Sequence, residues 1–343
     1  MRLLSASVLL SMAAVVLMSS HLTPAALAQI AGPTPSSWPS RSGLEIEEWY
    51  PDREDGLRTA AVKYNNGRGL LKCTKHLMRR NDEVKMLETL GRKFEPLGDV
   101  LVPRVLGVFS TKEGDHCMVL ESVYGPTLRE FIPFLKDEDN GPFLEYLATQ
   151  TILGVKFMHQ EGIVYGNINP DNIIVKPGSE WGSVKLVFTG IEPANTQRGH
   201  GMYGYIPPEE YAALGVHPYK RDAWMLGATL YFVANGMPPY GYTYSKKQHM
   251  LIPVPVEDLE RTMKEEAVTG QSSFSPIKAK NQALVDVVKQ LLSCKVEDRL
   301  EVSQIDDDQI LKIAMGVMPL AKTPFKSAMN KLRAVMIIKK TIS

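Results

Sequence analysis

Residues 162–175 read GIVYGNINPDNIIV, so that a glycine turn leads through an asparagine-rich loop into a short apolar run. The segment before it, residues 141–160, has Pro142 in its first turn and apolar residues at helical spacing, which predicts a long helix that stops at Gly162. The run NIIV at the end of the stretch and the run VKLVF (184–188) predict two short strands around a turn. We therefore expect a loop held between a long helix and a small pair of strands.

The part of the chain before this helix is rich in strand signals. The runs LEIEEWY, LRTAAVKY and GLLKCTK, which begin at residues 44, 57 and 69, predict three strands. Asn65-Asn66-Gly67 between the last two predicts a hairpin. A helix is predicted over residues 75–90, where apolar residues recur on one face, and the runs over 100–110 and 115–123 predict another strand pair.

The part after Gly125 is mainly helical. DAWMLGATLYFVANG (222–236) is apolar all round, as expected for a helix buried inside a lobe, and QALVDVVKQLLS (282–293) is amphipathic. A strand-rich part followed by a helical part indicates an α+β protein. We expect a first lobe over residues 45–122 and a second lobe over residues 123–322.

The first 28 residues have the composition of a secretory signal peptide. Arg2 precedes an apolar run from Leu3 to Met18, and Ala26-Leu27-Ala28 supplies the small residues of a cleavage site. A signal anchor is the alternative, but this apolar run is short for a bilayer span, which needs roughly 20 residues. Residues 29–44, rich in Pro, Ser and Gly, are expected to form a flexible leader to a secreted, soluble protein.

Charge, cysteine usage and histidine spacing narrow the kinds of site to expect. The formal net charge is +1, which gives no electrostatic reason to expect nucleic acid as a partner. Cys73, Cys117 and Cys294 are an odd and low count in apolar-periodic segments, so we expect buried free thiols rather than a disulfide framework. His159 and His200 have no Cys or His neighbours at metal-ligand spacing, which predicts no zinc site.

Six motifs stand in order along the chain. They are CMVLESV (117–123), the loop at 162–175, VKLVFTG (184–190), YIPPEEY (205–211), D-x-W-x-x-G (222–227) and CKVEDRLEVSQI (294–305). Together they resemble the motifs of the eukaryotic protein kinase fold, a bilobal α+β architecture, and the resemblance covers about residues 45–312. It implies that Glu209 and Arg299 form a buried ion pair. It also implies that Asp222, in the buried helix with Trp224, caps the backbone of the loop.

The residues that carry the chemistry of that family are replaced. The resemblance places its catalytic Asp at Asn167, the Lys that follows at Asn169 and its metal-binding D-F-G triplet at Phe188-Thr189-Gly190, while Asn172, the second metal ligand, is kept. An amide lacks the basicity of a carboxylate, and Phe cannot ligate Mg²⁺. We expect no catalysis, no metal site, and absent or very weak binding of ATP and Mg²⁺. Phe188 is large enough to plug the adenine side of the pocket.

The resemblance also implies the residues of a residual pocket. Leu120 stands in the gatekeeper place and Glu121 starts the hinge between the lobes. Glu83 is the helix acid that pairs with a strand lysine. Lys63 lies at the usual distance before Glu83 along the chain, whereas Lys72 fits the predicted hairpin better, and we favour Lys72.

The glycine-rich loop of the family is missing. No G-x-G-x-x-G can be drawn between Gly43 and Lys72, and the acidic stretch YPDREDGLR (50–58) stands in its place. This absence makes the chain similar to the secreted, rhoptry-kinase-like family of apicomplexan parasites called with-no-Gly-loop kinases, and within it to the bradyzoite pseudokinase type. That resemblance implies export into the parasitophorous vacuole or the cyst wall.

We expect a secreted, catalytically inactive protein that binds other proteins as a scaffold or allosteric partner. One alternative is an active kinase in which Glu180, Glu192 or another acid replaces the missing Asp. A second alternative is a protein docked weakly on a membrane through residues 323–343, a basic amphipathic segment for which packing on the second lobe is the plainer interpretation. Gly166 stands where the family's loop Arg binds a phosphorylated activation segment, so we expect that switch to be absent.

Overall fold

The computed structural model describes residue 39 and residues 41–51, 56–94, 101–135, 141–177, 184–192, 202–248 and 250–315. The predicted signal peptide, Glu180, His200 and the predicted C-terminal helix over 323–343 lie outside the described residues. The chain forms two compact units that divide between Tyr124 and Gly125. The first is rich in strands and the second in helices, so the α+β class predicted from the sequence is confirmed.

Among its described residues, the first unit forms a five-stranded antiparallel sheet with one helix. The strand order is β1-β2-β3-β5-β4, and the helix α1 connects β3 to β4. The strand expected over 100–110 begins only at Val105, because Pro103 lacks the N–H that a ladder hydrogen bond needs. The elements are β1 (Leu44–Trp49), β2 (Arg58–Tyr64), β3 (Gly67–Thr74), α1 (Leu77–Phe94), β4 (Val105–Ser110) and β5 (His116–Glu121).

The predicted hairpin between β2 and β3 is confirmed. Tyr64 pairs with Gly67, and the two residues between them, Asn65 and Asn66, have φ angles of 46° and 68°. Asn tolerates this left-handed region better than most residues, and a two-residue turn of this kind matches the twist of the strands. The asparagines therefore set the register that places Lys72 on β3.

The expectation of three free thiols is wrong for two of the three cysteines. Cys73 of β3 and Cys117 of β5 are cross-strand partners and form a disulfide. Both are fully buried in the core of the sheet, whereas Cys294 carries a buried free thiol. A count of cysteines cannot reveal this pair, because the two residues are separated by 44 positions in the sequence and meet only when β5 pairs with β3.

The described part of the second unit is mostly helical, with two short strand pairs. The predicted helix over 141–160 is present as α3, and the buried helix is α5, whose residues from Arg221 to Val233 are all buried. Within the described ranges, no helix is long and apolar enough to cross a membrane. The elements are α2 (Leu128–Phe131), α3 (Gly141–Gln160), β6 (Ile173–Pro177), β7 (Val184–Phe188), α4 (Pro208–Tyr211), α5 (Pro218–Asn235), β8 (Tyr242–Ser245), β9 (Met250–Pro253), α6 (Val256–Thr269), α7 (Gln282–Leu291) and α8 (Asp307–Met315).

Candidate functional site

The loop between α3 and β6 is anchored to α5 by one buried carboxylate. The backbone N–H groups of Tyr165 and Gly166 donate to the two oxygens of Asp222, at 2.7 and 2.8 Å. The Nε2 atom of His159, at the end of α3, lies 2.9 Å from the same carboxylate. Charge-assisted bonds to a fully buried anion are strong, so Asp222 fixes where the loop begins.

The phenol of Tyr165 ties this loop to the end of β7. Its hydroxyl donates to the carbonyl oxygen of Thr189, and the carbonyl oxygen of Asn172 lies 3.2 Å away. Complete burial, together with the negative charges of Asp222 and Glu192, raises the pKa of Tyr165 well above its usual value. The phenol therefore stays protonated at physiological pH and acts as a hydrogen-bond donor.

Three asparagines of the loop are hydrogen-bonded to one another. The Nδ2 atom of Asn172 donates to the carbonyl of Asn167 at 2.9 Å, and that of Asn169 donates to the same carbonyl at 3.1 Å. The Nδ2 atom of Asn169 also lies 3.1 Å from the side-chain oxygen of Asn167, and its own side-chain oxygen accepts from the N–H of Asp171. These amides build a neutral network that shapes the loop and supplies no general base.

The ring of Phe188 points into the interior of the second unit. It is 1% exposed, and it meets the ring of Tyr165 edge-on at a centroid distance of 6.1 Å. It also packs on Gly154 of α3. Phe188 is therefore part of the hydrophobic core of the second unit, and the hypothesis that it plugs a nucleotide pocket stays a prediction.

Gly166 and Gly190 have backbone conformations and neighbours that leave no room for a side chain. Their φ angles are 80° and 65°. A Cβ on Gly166 would lie 2.4 Å from the carbonyl oxygen of Glu192, and one on Gly190 would lie 2.8 Å from the amide of Asn172. The surrounding backbone thus leaves no space for a side chain, such as that of an arginine, at position 166.

An arginine that the sequence reasoning missed connects the same loop to α4. Arg221 of α5 donates through Nη1 to the carbonyl of Gly166 and through Nε to the carboxylate of Glu210, at 2.5 Å for the second contact. Its side chain is 7% exposed. The signal that could have indicated this role is the position of a charged residue in a helix predicted to be buried on all sides.

A second missed arginine, Arg129 of α2, joins the loop to the segment before α4. Its Nε atom donates to both carboxylate oxygens of Asp171, at 2.9 and 2.8 Å, and its Nη2 atom lies 2.9 Å from the sulfur of Met202. The guanidinium also lies over the rings of Tyr205 and Phe232, at 5.9 and 5.2 Å. Arg129 and Arg221 together hold residues 202–211 against the loop.

The ion pair expected between Glu209 and Arg299 is present and fully buried. Two nitrogens of the guanidinium donate to the two carboxylate oxygens at 2.7 and 2.8 Å. The guanidinium also lies 4.9 Å from the ring centroid of Trp224. A bidentate, desolvated pair of this kind fixes the position of α4, and loss of either partner leaves a buried charge.

In the first unit, the lysine that pairs with Glu83 is Lys72. The two side chains form a buried ion pair between β3 and α1. Lys63 is exposed on β2, where it lies opposite Glu45. Leu120 is buried in β5, and Glu121 accepts two bonds from Arg104, the Nε contact being 2.9 Å.

Of the acids proposed as replacements for a catalytic Asp, Glu192 is described by the structure and Glu180 lies outside the described residues. Glu192 is only 4% exposed, and its backbone N–H donates to the carbonyl of Tyr165. Among the residues that the structure describes, no group of three or more His, Cys, Asp or Glu side chains could hold a metal ion.

Comparison with known proteins identifies the family. A family model for the protein kinase domain matches residues 56–311. Sperm motility kinase Z of Mus musculus is 28% identical over 194 residues, which are 51% of this chain and 37% of that protein. Ribosomal protein S6 kinase beta of Caenorhabditis elegans is 27% identical over 207 residues, 57% of this chain and 33% of that protein. The matches span about a third of the length of these relatives.

Proposed function

Because the chain belongs to the protein kinase domain family, we propose that it is a pseudokinase that binds another protein as a scaffold or allosteric partner. The observation that carries this proposal is the position of Phe188, which stands where the family's motif has the metal-binding Asp. A phenyl ring buried against Gly154 and Tyr165 offers no oxygen to a metal ion. We infer that the side chain has changed from a ligand to a part of the core.

The remaining donors of the loop do not fit a magnesium ion bound to a nucleotide. Mg²⁺ needs hard oxygen ligands in a near-octahedral arrangement and is usually held by carboxylates. Asn172, the second ligand of the motif, donates through Nδ2 to the carbonyl of Asn167, so it has only its neutral side-chain oxygen to offer to a metal ion. Asn167, in place of the catalytic Asp, carries no negative charge that could accept the proton of a substrate hydroxyl.

The retained contacts explain why the loop persists without this chemistry. Asp222, Tyr165 and Arg221 connect it to α5, β7 and α4 by hydrogen bonds between buried groups. Leaving such groups unpaired costs about 1–3 kcal/mol each, and more for charges. We infer that the loop serves to hold the helical unit together and to keep a kinase-shaped surface available for a partner.

We propose further that the protein is exported. The signal-like residues 1–28 favour export, and so does the Cys73–Cys117 disulfide, because disulfides persist in oxidising compartments. The missing glycine loop favours a relationship to the apicomplexan with-no-Gly-loop kinases, near the bradyzoite pseudokinase 1 type. On that relationship, the destination is the parasitophorous vacuole or the cyst wall.

Thermal unfolding with millimolar ATP, with and without Mg²⁺, tests the loss of catalysis. A ligand at about 100 times its Kd adds roughly 2.7 kcal/mol, which raises the midpoint by several degrees. We expect no rise that depends on Mg²⁺ and no phosphate transfer to the chain or to a generic protein substrate. The matched control is Lys72→Met, which removes the strand lysine of the residual pocket. A rise in the unfolding midpoint of equal size in that variant would mean that ATP acts unspecifically.

Two other outcomes separate the alternatives. A Mg²⁺-dependent rise, together with phosphate transfer above background, would replace the pseudokinase proposal by an active kinase with another acid in place of Asn167. A rise in the unfolding midpoint with ATP alone, if it is lost in Lys72→Met, would be consistent with an inactive protein and would indicate a scaffold that responds to nucleotide.

A further inference from the structure

Helices α3 and α8 of the second unit run side by side in opposite directions. The Nζ atom of Lys156, near the end of α3, lies 2.6 Å from the carboxylate of Asp307 at the start of α8. At the other end, Asn281 donates to the carbonyl of Ile313 at 3.2 Å. Burial raises the pKa of Glu145, in the first turns of α3, and the side chain of Asn281 is near enough to that carboxyl to oppose the rise. The end of α8 is therefore next to the beginning of α3.

This arrangement aligns exposed apolar side chains. Leu153 lies three residues before Lys156, and Leu311 lies four residues after Asp307. Because the helices are antiparallel, both leucines lie on the same side of the Lys156–Asp307 contact, about 4.5 and 6 Å from it along the helix axes at 1.5 Å per residue. Leu153, Leu311 and Met315 are 43%, 51% and 55% exposed. We call these three side chains the α3–α8 surface. We infer that it borders the line along which the two helices pack, because Leu153 and Leu311 each lie about one turn from the Lys156–Asp307 contact on the same face of their helix.

Acidic side chains lie at one end of this surface. Asp306, Asp307 and Asp308 are consecutive and exposed at the start of α8. The carboxylate of Asp307 remains 90% exposed although it pairs with Lys156. The α3–α8 surface thus combines an apolar stripe with a local negative charge, which favours a basic and amphipathic occupant.

We propose that the occupant is the C-terminal segment of this same chain, residues 323–343, bound as an amphipathic helix. The segment carries Lys326, Lys331, Arg333, Lys339 and Lys340 and no acidic residue. Its apolar residues recur at helical spacing: Phe325, Ala328, Met329, Leu332, Val335 and Met336.

The position of the segment in the chain supports this occupant. The described structure ends at Met315, a residue of the α3–α8 surface itself. The linker 316–322 has seven residues, which span at most about 25 Å when extended. A linker this short gives a high effective concentration of the segment at the surface. Apolar burial and charge attraction then act together, whereas a membrane would have to compete for the same apolar face.

Cross-linking in the full chain tests the proposal. A Leu311→Cys, Met329→Cys variant should be joined by a short bismaleimide at least about tenfold faster than a Val268→Cys, Met329→Cys control, since Val268 is an exposed apolar residue of another helix. Both variants keep the buried thiol of Cys294, so its background is matched. Equal rates for the two pairs would overturn the proposal.

Hydrogen exchange gives a second readout that does not need introduced cysteines. Amides of residues 325–336 should be protected in the full chain and should exchange at least about tenfold faster in Leu311→Asp, but not in Val268→Asp. Amides that are unprotected in the unsubstituted chain would refute the docking. Protection that appears only when vesicles containing anionic phosphatidylserine are added would also refute it, in favour of a lipid surface as the occupant. These outcomes do not bear on whether the protein is a pseudokinase.

Discussion

The ring of Phe188 packs on Gly154 so closely that a Cβ added to the glycine would lie 2.5 Å from two of the ring carbons. Gly154 is therefore the residue that lets a phenyl ring enter between β7 and α3. The two positions are complementary in volume, one without a side chain and the other with a large one. A carboxylate at 188 would leave this space poorly filled and would itself be desolvated.

We predict that the double variant Asn167→Asp, Phe188→Asp gains no kinase activity and is destabilised by at least about 3 kcal/mol. Removal of a buried Phe ring costs about 3–5 kcal/mol, and burial of a charge adds to that cost. Urea unfolding and a phosphate-transfer assay measure the two effects. The controls are Asn167→Asp alone and Phe188→Leu, which should both be much milder. Activity in the double variant would show that the site is intact apart from two substitutions.

A second prediction concerns Arg221 and Glu210, whose contact joins α5 to α4. Arg221→Met should lower the free energy of unfolding by about 3 kcal/mol, because it leaves a mostly buried carboxylate with one partner fewer. Glu210→Gln should cost less, and the double variant should cost at least about 1 kcal/mol less than the sum of the two. Strictly additive losses in urea unfolding would mean that the two side chains do not depend on each other.

A third prediction compares Lys63 and Lys72, the two lysines that the sequence offers as partners of Glu83. Lys72→Met should destabilise the protein by about 3–5 kcal/mol, because the carboxylate of Glu83 would be left buried beside an apolar side chain. Lys63→Met, an exposed position on the neighbouring strand, should change stability by no more than about 0.5 kcal/mol. Thermal unfolding of both variants is sufficient, and equal losses would contradict the assignment of the pair to Lys72.

Hairpins and buried helices were predictable because their signals are local. Asn65-Asn66-Gly67 specifies a tight turn by itself, and the all-apolar run in α5 specifies burial by itself. The pairing of Lys72 with Glu83 was decided by the same logic, since the hairpin fixes which lysine lies on β3. Each of these features depends on residues that are close together in the chain.

The contacts that sequence reasoning missed join residues that are far apart. Arg129 reaches Asp171 across 42 positions, and Arg221 reaches Gly166 across 55. No periodicity marks such pairs, and a lone arginine in a helix is equally compatible with an exposed face. The burial of Phe188 was missed for a related reason: the space that it fills belongs to Gly154, which lies in another element.

The final prediction concerns the disulfide, whose two cysteines are also far apart in the chain. The protein should show one reactive thiol when denatured without a reductant and three after reduction, because Cys73 and Cys117 are bonded and Cys294 is free. Cys73→Ser with Cys117→Ser should lower the free energy of unfolding by about 2–4 kcal/mol, the usual contribution of a disulfide, while Cys294→Ala serves as the control that leaves the bond intact. Three reactive thiols in the protein purified from its secreted form would contradict both the bond and the argument for export that rests on it.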